Sequence, residues 1–333
     1  MVLEGKHGGF PVDIKAIYNV GGNYVTQGSD VRKSIEAFNQ VEFSVCHDRF
    51  LTPTAKYCDV VFPTTTFLER NDIVSPNSGN YLLFSNKVSE PIGESRNDYD
   101  IFCGLADSLG FLDKFSEGRN EDAWLRSFVY ESKIGDYEKF KRVGVWFDED
   151  QHRFGLSSFI QDPEGHPLAT PSGRIQILSD AYERAGGVKV PHPLIPLITE
   201  SFPLRLVSPK SRFRVHSQNA NIEWFNMRER HRLWINPEDA AQRKIYEGDI
   251  SVVTSPQGVI RISSYLTTDI MKGVVCIQEG VWPRLDSDGI DYAGSVNTLT
   301  STVPTMPSQA SRTHSVNVQV MLASTTNARV LFD

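Results

Sequence analysis

VEFSVCHDRFLTPTAKYCDVVFP, residues 41–63, sets two short apolar runs either side of a proline-opened turn. Residues 41–46 read as a strand, 52–57 as one or two helical turns with Pro53 tolerated at their start, and 58–62 as a strand stopped by Pro63. Upstream, IKAIYNV (14–20) is a further strand ending in Gly21-Gly22-Asn23, and SDVRKSIEAFN (29–39) is a helix with Ser29 or Asp30 as its cap. Strand, helix, strand, short helix, strand is the rhythm of an α/β domain built on a parallel sheet. Ligands of such sheets sit beyond the carboxyl ends of the strands. Residues 21–23, 47–48 and 63–66 all fall at such ends.

Further along, 95–110 contains a helix ended by Gly110, and 120–130 is a helix with Asn120 as its cap and an acidic first turn. Residues 148–171 are loop-rich, and 170–177 read as a turn running into a strand. The proline-rich stretch 190–203 reads as a linker to a second domain. Beyond it the pattern turns β-rich. Short strands are expected at 250–254, 258–264, 273–278 and 314–320, with a capped helix start at 236–241 and a turn at 247–249. Several short strands with one or two helices suggest a small closed barrel.

With 333 residues, 40% of them hydrophobic, the chain has ample material for two cores. A net charge of -7 argues against wholesale nucleic-acid binding. No apolar run approaches membrane-spanning length, and residues 1–10 lack the apolar stretch of a signal peptide. Cys46, Cys58, Cys103 and Cys276 form no CxxC and sit in apolar contexts. They read as small buried hydrophobes, not as zinc or iron–sulfur ligands. The residues that ask for a ligand are SRFRVHSQNAN (211–221), following a strand-like run at 202–209. So many forked donors and amides are costly to bury unless something polar, large and anionic lies among them. If the strand continued through them, Arg212, Arg214, His216 and Gln218 would share one face.

An ordered series of segments carries a family likeness. It comprises IKAIYNVGGN (14–23), HDRFLTPTAKYCDVVFPTTTFLE (47–69), HPLATPSGRIQILS (166–179), SRFRVHSQNANIEW (211–224), INPEDAAQRKIYEGDISVV (235–253) and GSVNTLT (294–300). With these the chain resembles the C-terminal part of the catalytic (A) subunit of the anaerobic dimethyl sulfoxide reductase-like molybdopterin oxidoreductases. The resemblance implies a Rossmann-like parallel-sheet domain at 1–190, with a helical and loop-rich return segment, and a C-terminal double-psi β-barrel at 200–325. It implies a bis(molybdopterin guanine dinucleotide) cofactor with molybdenum. It further implies an enzyme reducing an S-oxide or N-oxide with electrons from an iron–sulfur subunit, beside a membrane-anchor subunit. In the family the cluster motif and the metal ligand lie in an amino-terminal half that these residues do not match. The chain alone is therefore expected to be inactive, and neither a catalytic residue nor a metal ligand is expected within it. Relatives of this kind are commonly exported after folding with their cofactor, so the resemblance implies a full enzyme that is periplasmic or membrane-associated. A non-enzymatic cofactor-binding module and a formate- or nitrate-type member of the family remain as alternative readings.

The resemblance also names cofactor contacts. Gly22 and Asn23 allow close backbone approach at a strand end, and Asn23 offers an amide. His47 and Asp48 follow a strand, and Asp48 suits guanine or ribose donors. Thr52 and Thr54 cap a turn and donate to phosphate; Asp59 is expected to be chiefly structural and is carried as a nucleotide contact as well. Arg212, His216, Ser217 and Gln218 form the central group, and Asn297 in GSVNTLT is expected at the pterin. Trp224, Trp234 and Trp282 read as barrel packing or rim residues, and RERHR (228–232) as a solvated helix face.

Overall fold

A computed structural model describes residues 1–148, 155–190, 192, 197–306 and 308–323. The chain begins with β1 (Ala16–Val20), α1 (Tyr24–Gln27), α2 (Val31–Gln40), β2 (Phe43–Asp48), β3 (Val60–Pro63), β4 (Asp72–Val74) and β5 (Tyr81–Ser85). There follow α3 (Asp98–Ser108), α4 (Leu112–Ser116), α5 (Glu121–Tyr130), α6 (Tyr137–Val143), β6 (Val145–Phe147), α7 (Ser157–Gln161) and α8 (Asp180–Arg184). The last part holds β7 (Leu204–Val207), α9 (Glu223–Arg228), β8 (Leu233–Ile235), α10 (Pro237–Gln242), β9 (Ile250–Thr254), β10 (Val259–Leu266), β11 (Val274–Cys276) and β12 (Val316–Leu322). Part of the expected linker at 190–203 lies outside the described residues.

The chain forms two compact units. The first combines Met1–Ser44 and Leu51–Asp59 with Leu178–Asp333. Its centre is a closed barrel in the order β10-β8-β11-β7-β12-β9. Two of its pairings are parallel, β10 with β8 and β11 with β7, and the rest antiparallel. Closure leaves no open edge. The strands alternate as a two-residue period requires: Leu204 and Leu206 on β7, and Val316, Val318 and Val320 on β12, all point into the core. Leu233, Ile235, Val253, Ile260, Ile262 and Val275 complete that filling. Helix starts follow their caps. The Asp30 carboxylate accepts from Lys33 N at 3.1 Å, and the Asn236 side chain accepts from Glu238 N at 3.0 Å with Pro237 in the first helical turn.

The second unit is Val45–Phe50 with Val60–Ile177. Here β2 and β3 pair in parallel, Val45 opposite Val60 and Asp48 opposite Pro63. An antiparallel sheet β4-β5-β6 packs Phe84 against Leu125, Val129, Tyr137 and Phe140 of the helices. Parallel strands in an α/β context and a closed six-strand barrel are both present, as the sequence pattern indicated. The strand expected at 174–177 is not: the chain turns there. Gly173 N–H donates to Thr170 O at 2.9 Å and the Thr170 hydroxyl to Arg174 O at 2.7 Å. Local hydroxyl bonds to the backbone compete with sheet pairing and win where no neighbouring strand is offered.

The barrel core makes a quantitative expectation. Leu206→Ala, at a fully buried position on β7, lowers the unfolding free energy by ~2–5 kcal/mol in urea denaturation, whereas Ile250→Ala, at a half-exposed position on β9, changes it by less than ~1 kcal/mol.

Candidate functional site

The polar centre of the first unit is α1 and the loop before it. Gly21 takes φ 64°, and the Asn19 side chain donates to Gly22 O at 2.7 Å, so the loop after β1 folds back on itself. That turn delivers Asn23 into the interior, where its Oδ1 accepts from the hydroxyls of Thr54 at 3.1 Å and Thr26 at 3.2 Å. The Thr54 hydroxyl oxygen in turn accepts from Val25 N at 2.9 Å. The other end of the Asn23 amide, Nδ2, is buried and has no partner among the described residues. Such a donor is costly unless a ligand acceptor meets it.

Two distant residues close on the same helix. Asn297 donates through Nδ2 to Thr26 O at 2.8 Å and Gln27 O at 3.3 Å, and the Gln27 amide donates to Ser217 Oγ at 3.0 Å. Asn297 is placed there by a buried carboxylate. Asp291 accepts from the backbone N–H groups of Arg284, Ala293 and Ser295 at 2.9, 2.8 and 2.7 Å, and from the Thr298 hydroxyl at 3.3 Å. Burial raises its pKa while the four donors oppose the shift. Thus Asn23, Thr54, Ser217 and Asn297 are drawn together around α1.

A cavity of about 360 Å³ lies in the same unit. Lys56, Asn221, Asn226, His231, Trp282 and Arg284 are among its lining residues. His231 is not on a solvated helix face, because α9 stops at Arg228. Its Nε2 lies 2.9 Å from Gly294 O, which makes that nitrogen the N–H donor, and Nδ1 is shielded without a partner among the described residues. Loss of water around the ring pushes its pKa down to about 4; the Gly294 bond and the Glu229 charge oppose this, and the Arg214 charge adds to it. The cavity therefore offers two amides, two cations, an indole and a neutral imidazole. That set suits a polar heterocycle carrying an anionic group.

The remaining candidates fall as follows. Residues 211–218 do not continue β7. Val215 and Gln218 close a tight turn with Gln218 N–H to Val215 O at 3.0 Å, and His216 and Asn219 take φ 52° and 68°. The single-face expectation therefore fails: Arg214 is buried, while Arg212, His216 and Gln218 are exposed. Thr52 caps the turn at Ala55 N, 3.3 Å. Asp59 accepts from Ser44 N at 2.7 Å and Ser44 Oγ at 2.9 Å. In the second unit His47 is fully buried. Its ring packs against Phe62 and Phe102, and its Nδ1 lies 2.9 Å from Asp98 Oδ1. Asp48 Oδ1 accepts from Arg49 N at 2.8 Å. Among the described residues, no group of three or more His, Cys, Asp or Glu could hold a metal ion. The Trp282 indole is half-buried, and its N–H donates to Ser217 O at 2.8 Å.

Residues 7–108 match the Molybdopterin oxidoreductase family and 204–317 the Molydopterin dinucleotide binding domain. The chain belongs to the molybdopterin oxidoreductases. It is 31% identical over 338 residues to the dimethyl sulfoxide reductase DmsA of Haemophilus influenzae, covering 92% of this chain and 42% of that protein. It is 33% identical over 332 residues to a dimethyl sulfoxide/trimethylamine N-oxide reductase of Rhodobacter capsulatus, covering 91% and 40%. The chain thus spans about two-fifths of the length of these relatives. In fold it is similar to acetylene hydratase from Pelobacter acetylenicus, with TM-score 0.76 and 21% identity, over 94% of this chain and 45% of that one. In this molybdopterin oxidoreductase chain the bonds around α1 join both matched segments: Asn23, Thr26, Gln27 and Thr54 come from one, Ser217 and Asn297 from the other.

Sequence reading missed Gln27, His231, Arg284 and Asp291. Only the polarity of Gln27 four residues after Asn23, and a histidine within the charged run 228–232, hinted at two of them. His231 carries a pH signature. Its folded pKa of about 4 lies below its ordinary 6.5, so the unfolded chain takes up the proton first as pH falls. The stability it contributes is complete above pH 6.5 and is lost progressively toward pH 4. Urea midpoints measured across that window are expected to fall for the native chain and to fall less for His231→Gln.

Proposed function

We propose that this chain is the cofactor-holding part of an enzyme that carries a bis(molybdopterin guanine dinucleotide) with molybdenum and reduces an S-oxide or N-oxide such as dimethyl sulfoxide. The observation that carries the reading is the polar cluster at α1, with the unpartnered Asn23 Nδ2 at its heart. A pterin or guanine edge presents the acceptors that this donor lacks. The names of the relatives, dimethyl sulfoxide reductase and trimethylamine-N-oxide reductase, support the substrate class.

In this reading Asn23, Ser217 and Asn297 orient the dinucleotide, with the Gly22 backbone leaving room for its approach. Lys56 and Arg284 balance its phosphate charge, and the exposed Arg212, His216 and Gln218 reach its outer edge. Thr52, Thr54, Asp59 and His47 act by holding backbone and neighbouring side chains, given the bonds they make within the protein. Asp48 is kept as the acceptor for guanine or ribose donors. The bound cofactor supplies the metal centre and its two-electron chemistry; the chain supplies binding, orientation and electrostatics. An amino-terminal half, an iron–sulfur subunit and a membrane-anchor subunit complete the proposed enzyme. The functional division proposed is an α/β part at 1–190 and a dinucleotide-binding double-psi barrel at 200–325, a topology favoured by the mixture of parallel and antiparallel pairings.

The test is native purification from a host that makes the cofactor, followed by denaturation and measurement of pterin fluorescence and released guanine nucleotide. The native chain is expected to yield both. Asn23→Leu, and Ser217→Ala combined with Asn297→Leu, are each expected to lower the yield by at least ~10-fold, the factor that 1.4 kcal/mol of lost binding produces. Absence of pterin from the native chain, or undiminished pterin in both variants, overturns the proposal.

A further inference from the structure

The loop after β7 is gripped along its length by the segment that follows β11, QEGVW (278–282). The strands β7 and β11 are parallel neighbours, with Val207 opposite Cys276. Parallel neighbours end side by side, so the chain leaving each one sets out from the same place. The ladder runs on past both ends: Ile277 N–H donates to Val207 O at 3.1 Å and Glu279 N–H to Pro209 O at 3.1 Å.

From there the segment touches the loop repeatedly. Gln278 donates to Glu229 Oε1 at 3.0 Å, while the other Glu229 oxygen accepts from the Ser211 hydroxyl. Gln278 Oε1 accepts from Arg214 Nη2 at 3.5 Å, and Arg214 Nε donates to Glu279 O at 3.4 Å. Arg214 is buried, and a buried guanidinium is costly unless such partners accept its hydrogen bonds. The Glu279 carboxylate pairs with Lys210 at 2.9 Å and lies 3.5 Å from His216 Nδ1. Gly280, at φ 95°, packs against the His216 carbonyl oxygen where a Cβ has no room. Trp282 then donates to Ser217 O at 2.8 Å. Between those two contacts His216 holds φ 52°, a conformation that a residue with a Cβ keeps only when its surroundings over-determine it.

We infer that Gln278, Gly280 and Trp282 are positioning residues that hold the 211–217 loop in its left-handed turn before any ligand arrives. The parallel ladder brings the two segments together, Gly280 admits the His216 carbonyl, and Trp282 fixes the peptide that carries Ser217. Ser217 Oγ is thereby aimed at Gln27, and the His216 side chain is turned outward onto the Lys210–Glu279 pair. A loop ordered in advance loses less entropy when it binds. The identity of the ligand rests on the cofactor reading above; the ordering of the loop does not.

Trp282→Phe removes the N–H donor and keeps an aromatic ring, and Gly280→Ala forces the His216 carbonyl to move. Hydrogen–deuterium exchange read by mass spectrometry, on native and variant chains made in a host that lacks the cofactor, is expected to show residues 211–218 exchanging at least ~10-fold faster in both variants, with β9 and β10 unchanged. Pterin content of Trp282→Phe is expected to fall while its urea midpoint stays at the native value. Unaltered exchange at 211–218 in both variants overturns the inference, as does a faster exchange spread uniformly over the barrel. A native chain that purifies without pterin counts against the cofactor reading alone, because the exchange comparison is made without ligand.

Discussion

The parallel pairing of β7 with β11 inside the closed barrel is the constraint on which the site depends. An antiparallel partner would carry the chain after β11 to the opposite end of the barrel. Parallel pairing instead releases two connections at one end, and both are long and polar. Their first residues continue the ladder, so the second connection becomes a template for the first. The buried Arg214 is tolerable for the same reason, since Gln278 and the Glu279 carbonyl reach it from the neighbouring segment.

The second connection also carries Asp291, and that carboxylate does for residues 284–298 what a short strand would do elsewhere. It gathers three backbone N–H groups and a hydroxyl, and so presents Asn297 to α1. The helix needs this help. Four residues are too few to be stable by themselves, and a helix end leaves carbonyls without partners. Asn297 takes the Thr26 and Gln27 carbonyls, so the same bonds that end the helix also place its polar side chains.

Much of the fold was legible because it rests on local patterns. Short β-rich runs located β7, β9, β10 and β11, an alternating run located β12, and capping residues at 29–30, Asn120 and Asn236 located three helices. The error at 174–177 has a local cause as well: an alternating apolar pattern without a partner strand, beside hydroxyls that bond the backbone. The site was legible only in part. Asn23, Ser217 and Asn297 were visible as unusual polar residues in ordered segments. Their bonds to Thr26 and Gln27 span up to 271 residues of sequence, which no window of local pattern contains.

The sequence by itself determined that polar, forked side chains cluster in 211–221, that a parallel α/β segment precedes a β-rich one, and that the order of segments is that of the molybdopterin oxidoreductases. Only the tertiary structure decided which of those side chains face inward. A tight turn at His216 breaks the two-residue period that a strand would have kept, so Arg214 and Ser217 turn in while Arg212, His216 and Gln218 turn out. The neutral state of His231 was likewise decided by enclosure, because an imidazole's charge depends on the water around it, and no sequence window records where water is excluded.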